Sequence, residues 1–110
     1  MRLSWLVAAA LLGAAACRKP PLRVTAHDLF MQREKWLGRR VLVDGVLERF
    51  SPAAGEYFAL EDAGFRVGLR GGDPAALREE VGRRVTAEGE FGFGDGYGAY
   101  VELERLDRAP

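Results

Sequence analysis

"GRRVLVDGVLERF", residues 38 to 50, is where the chain changes its period. Val41, Val43 and Gly45 alternate with Leu42, Asp44 and Val46, the two-residue repeat of a strand whose two faces meet different surroundings. Residues 40 to 50 therefore read as a long first strand. Gly45 in its middle suits a bend or bulge, because a residue without Cβ tolerates strong coiling.

The extended period continues downstream. Ser51 to Gly55 is a loop, and residues 56 to 61 form a second strand with Phe58 and Leu60 on one face and Tyr57 and Ala59 on the other. Asp62-Ala63-Gly64 is a turn. In the third strand Phe65, Val67 and Leu69 point inward, while Arg66, Gly68 and Arg70 face away. Gly71 and Gly72 break the sheet, and Asp73-Pro74 opens a short helix as N-cap and first helical residue. Residues 84 to 93 and 97 to 106 are the fourth and fifth strands, joined by Gly94-Asp95-Gly96.

Upstream, Thr25 caps an extra N-terminal helix, with Asp28 at the acid position of a capping box. Leu29, Phe30, Trp36 and Leu37 share one side of that helix, and Gly38 ends it. Leu37-Gly-Arg-Arg-Val echoes Val81-Gly-Arg-Arg-Val, each copy leaving a helix through glycine into a strand.

Residues 1 to 16 have the layout of a secretory signal: Arg2, an apolar run, then Gly13 and three alanines. Cys17, the single cysteine, follows them at once and forms no intrachain disulfide. The segment resembles a bacterial lipoprotein signal, with Ala14 where leucine is usual; the plainer alternative is an ordinary secretory signal. The resemblance implies acylation at Cys17 and, with Arg18 next, an outer-membrane anchor facing the periplasm. Residues 17 to 24 are then a tether, extended by Pro20 and Pro21, and residues 25 to 110 the folded domain. Charge gives little direction: Lys and Arg number 16, Asp and Glu 16, and losing Arg2 with the signal leaves one acid in excess.

Five strands with a helix between the third and fourth is an all-β order, that of an OB-fold barrel. "GRRVLVDGVLERF", "YFALEDAGFRVGL" and "GRRVTAEGEFGF" with "YVELERL" resemble bacterial OB-fold domains of the tRNA-anticodon-binding type. The resemblance implies a fold and a binding face rather than a reaction.

In that fold the face is the outer side of the second and third strands. It would carry Tyr57, Ala59, Arg66, Gly68 and Arg70, with Tyr97 and Tyr100 reaching it from the last hairpin. Arginines there suit an anionic group or a partner's backbone. The competing reading is that Glu102 and Glu104 neutralise Arg66 and Arg70. The glycine-aromatic run "EFGFGDGYGAY", residues 90 to 100, mimics a base-stacking box, but its flanking charges are Glu88, Glu90 and Asp95. Aromatic packing across the hairpin accounts for it more simply.

Catalysis finds no support. His27 is the sole histidine, so neither a metal site nor a histidine triad has its parts, and no cofactor is expected. The expectation is a non-catalytic, lipid-anchored envelope module that binds a protein or an anionic small ligand. Single-stranded nucleic acid is the alternative, opposed by charge and location.

Overall fold

The computed structural model describes residues 19–51, 53, 55–94 and 96–110. The signal, Cys17 and Asp95 of the last turn lie outside the described residues. In chain order the elements are β1 (Leu22–Val24), α1 (Ala26–Met31), α2 (Arg33–Trp36), β2 (Arg40–Phe50), β3 (Tyr57–Asp62), β4 (Phe65–Arg70), α3 (Pro74–Glu80), β5 (Arg84–Gly94) and β6 (Gly98–Arg108). The described residues are mostly β, with six strands in one sheet.

Five of the strands close a ring of hydrogen-bonded ladders. β2 pairs antiparallel with β3, and β3 with β4. β4 runs parallel to β6, β6 antiparallel to β5, and β5 returns antiparallel to β2. The long strands allow the closure: β2 gives its first half to β5 and its last five residues to β3. Inside lie Val41, Val43, Leu47, Phe58, Leu60, Val67, Val85, Phe91 and Val101, joined by Leu29, Trp36 and Leu77 from the helices. Phe65, expected among the interior residues, is partly buried against this core.

Residues 22 to 24, expected in the tether, are a sixth strand. β3 leaves β2 at Val46, so Val41 to Val43 have a vacant edge, and β1 fills it in parallel. The extended backbone that Pro20 and Pro21 favour serves a strand as well as a tether. Arg23 then reaches across to both oxygens of Asp44, each at 2.7 Å, and Thr86 donates to Asp44 Oδ1 at 2.5 Å. Burial alone pushes the Asp44 carboxyl up, but the Thr86 hydroxyl and the Arg23 guanidinium outweigh it and hold it below the usual range.

The single N-terminal helix expected is two short ones broken at Gln32. Thr25 does cap the first, accepting from the Asp28 amide at 3.0 Å. Ala26, Leu29 and Trp36 are buried, while Phe30 and Leu37 are exposed, so only a narrow stripe packs against the ring. Short helices persist by packing, and a stripe this narrow holds isolated turns. α3 starts as the sequence indicates, with the Asp73 side chain accepting from the Ala75 amide at 3.1 Å.

A register shift between Glu88 and Gly89 inserts Glu104 into the β5–β6 ladder. Leu103 and Leu106, three positions apart, consequently both pack against the core.

Candidate binding face

The outer side of the ring carries a continuous series of aromatic side chains. Phe50 and Tyr57 are cross-strand partners in β2 and β3, and their rings stack with centroids 4.9 Å apart. Tyr57 meets Tyr97 edge-on at 6.2 Å, and Tyr97 meets Tyr100 at 5.8 Å. Four rings thus run from β2 over β3 and β4 to β6. Contacts of this geometry contribute about 0.5–1.5 kcal/mol each beyond area burial.

Two glycines seat the tyrosines. A Cβ at Gly68 would lie 2.8 Å from the Tyr97 ring, and one at Gly92 would lie 2.5 Å from the Tyr100 ring and hydroxyl. Glycine in these strands makes room for a ring from elsewhere, as well as letting the ribbon coil.

Of the aromatics of the 90 to 100 stretch, Tyr100 therefore packs across its own hairpin, over its β5 partner Gly92, while the others do not follow that pattern. Phe91 belongs to the core at 1% exposed; Phe93, two residues on with the same strand parity, is 49% exposed. Its ring lies 4.4 Å from the Arg33 guanidinium. Tyr97 crosses to Gly68 of β4.

Each end of the series bears an arginine. The Arg66 guanidinium stacks on Phe50 and that of Arg70 on Tyr100, both 4.5 Å from the ring centre. Both are also matched by carboxylates. Arg70 bonds Glu102, as the competing reading expects. Arg66 takes Glu48 instead, Nε standing 3.4 Å from an oxygen that has no hydrogen-bond partner. Glu104 goes to Arg40, which also pairs with Glu88 at 2.5 Å. Arg84 pairs with Asp62 at 3.2 Å, and Arg83 stands 3.8 Å from Glu80.

The structure brings together Tyr57, Arg66, Arg70, Tyr97 and Tyr100. Tyr97 lies over Gly68, and Gly68 and its cross-strand partner Ala59 are both buried, so they form the floor and are not contact residues. Phe50 belongs to the face and escaped the sequence reading. Its parity with Glu48 places it outward, but its pairing with Tyr57 depends on the length and path of the 51 to 55 loop.

Glu56, where β3 begins, clamps this loop to α3. It accepts from Arg78 at 2.9 and 2.7 Å and from Arg49. These bonds hold its carboxyl down at about 2, against an ordinary 4.5. Across the molecule His27 lies against the Phe65 ring at 4.7 Å.

No family model and no curated protein matches the chain. Among solved structures it is similar to a Leishmania major Friedlin protein assigned as an aspartyl-tRNA synthetase, with TM-score 0.57 and 9% identity. The match covers 84% of this chain and 22% of that one. At such identity the likeness concerns the fold, which is OB-like.

Proposed function

We propose that the chain is a five-stranded OB-fold barrel acting as a non-catalytic binding module, held at the cell envelope through Cys17. Its docking face is the series Phe50, Tyr57, Tyr97 and Tyr100 with Arg66 and Arg70 at the ends. One observation carries this reading: the rings are contiguous and tyrosine-rich, and both arginines are stacked and matched by carboxylates. Tyrosine and arginine on a rigid scaffold is the composition of protein-binding hot spots. Salt-bridged arginines offer little net charge to a free phosphate, so a protein partner suits the face better than an anionic small ligand.

The test is recovery of an envelope protein with the full-length chain, compared with the Tyr57→Ala, Arg66→Ala double variant. The reading expects a discrete partner that the variant loses. Equal recovery by both chains contradicts it.

Single-stranded nucleic acid is the second reading, favoured by the stacked rings and the OB-like fold. Glu48, Glu90 and Glu102 oppose it by repelling phosphates. It expects a salt-dependent oligonucleotide shift that weakens in the Arg66→Ala, Arg70→Ala variant. No shift at low salt removes it.

A further inference from the structure

We propose that the end of the molecule where the described chain begins is a docking face for an anionic lipid surface. Exposed apolar side chains gather there. Phe30 and Met31 are 61% and 64% exposed, and Leu37 and Phe93 are also open to solvent. Phe30, Met31, Arg33 and Lys35 border one shallow hollow, and Arg33 links it to Phe93. Lys19 and Arg39 border a neighbouring hollow with Gly38, whose amide donates to the Phe91 carbonyl at 2.9 Å. Lys35 of the first hollow and Arg39 of the second both lie over the Trp36 ring, which joins the exposed side chains to the point of chain entry.

The charge on this surface differs from that of the aromatic face. Arg66 and Arg70 are each matched by a glutamate, whereas Lys19, Arg33, Lys35 and Arg39 form no ion pair among the described residues. Arg33, Lys35 and Arg39 lie over aromatic rings, with Glu34 and Glu90 as the nearby acids. Exposed Phe, Met and Leu among unmatched cations is the pattern of a segment that lies in a headgroup layer. No helix among the described residues is long and apolar enough to cross a bilayer, so this face would rest on the surface.

The length of chain outside the structure selects the same occupant. Residues 1 to 18 join at Lys19, and the tether reading puts the acylated Cys17 two residues before it. A chain so short holds this end against the bilayer. The inference rests on the tether reading for its setting, but not on the aromatic face.

The full chain is reconstituted with vesicles of phosphatidylethanolamine and phosphatidylglycerol, or of phosphatidylcholine alone. An environment-sensitive fluorophore is placed by Met31→Cys or, as control, by Glu79→Cys on α3, each with Cys17→Ser. Sedimentation reports the anchor, which the apolar run supplies here, and the fluorophore reports the face. At position 31 emission is expected to shift to the blue and to be quenched by lipid-borne quencher in the anionic vesicles. Position 79 is expected to stay in water. Raising salt, or introducing Arg33→Glu with Lys35→Glu, is expected to abolish the shift while the chain still sediments. A sedimenting chain with position 31 as wet as position 79, or with equal shifts in both vesicles, overturns the docking face alone. A chain left in the supernatant of the anionic vesicles overturns the face, while the tether reading, whose acyl group Cys17→Ser removes, is judged separately by fatty-acid labelling of the unaltered Cys17. A shift lost on removing the vesicles' anionic lipid supports the face; a shift produced by an added protein in place of lipid contradicts it.

Discussion

Tyr100 on β6 lies across Gly92 on β5, so close that a methyl group there would stand 2.5 Å from the phenol oxygen. The same tyrosine carries the Arg70 guanidinium on its ring. One glycine on a strand interior therefore fixes one end of the aromatic series.

Gly92→Ala should displace the Tyr100 ring and destabilise the fold by about 1–3 kcal/mol, the usual cost of forcing extra volume into a packed site. Urea unfolding measures the loss, and the near-ultraviolet circular dichroism of the tyrosines should change with it. Gly89→Ala should do more harm, because the added carbon would stand 1.9 Å from the Glu102 carbonyl oxygen, which is backbone and has no rotamer to swing away.

Phe91 and Phe93 are two residues apart on one strand, and their fates differ. Phe91→Ala should cost about 3–5 kcal/mol, as for a fully buried ring. Phe93→Ala should cost no more than about 1 kcal/mol, the scale of its cation–π contact with Arg33. Denaturation midpoints of the two variants check the difference directly.

That contrast shows what the sequence contains. Alternation located β2, β4 and β5 within about a residue of their observed ends, because a strand with one buried face advertises its period. Thr25 and Asp73 announced their helices through their side chains. What alternation cannot carry is partnership. Phe93 has the parity of Phe91 but lies where the β5–β6 ribbon has left the core, and Leu22 to Val24 became a strand because β2 had an unfilled edge. Within the candidate site, Tyr57, Arg66 and Arg70 were legible as outward residues of neighbouring strands. Phe50, the seats at Gly68 and Gly92, and the Glu48 partner of Arg66 all depend on register between strands.

Acid should loosen the clamp at Glu56. Its folded carboxyl titrates near 2 rather than 4.5, held down by Arg78 and Arg49. A depressed carboxyl contributes stability above its unfolded value and loses it as pH falls toward the folded one. Unfolding midpoints of the native chain should therefore decline between about 4.5 and about 2. Glu56→Gln should be less stable at neutral pH and should show a shallower decline across that interval.

β1 should depend on Asp44. Asp44→Asn weakens the two bonds from Arg23 and the one from Thr86. Amide exchange at Leu22 to Val24 should accelerate while exchange at Val41 and Val43, shielded by β5 as well, changes less. The effect on global stability should be small, on the order of 1 kcal/mol or less, since the pair is partly exposed.

The aromatic face as a partner's docking site is the claim on which the functional reading turns. The measurement that reaches it most directly is photo-crosslinking in intact cells, with the reactive residue at position 97 and a control at position 79 on α3. A discrete protein adduct from position 97, absent from position 79 and lost with Tyr57→Ala and Arg66→Ala, is the predicted result. Adducts of equal yield from both positions, or none from position 97, would contradict it.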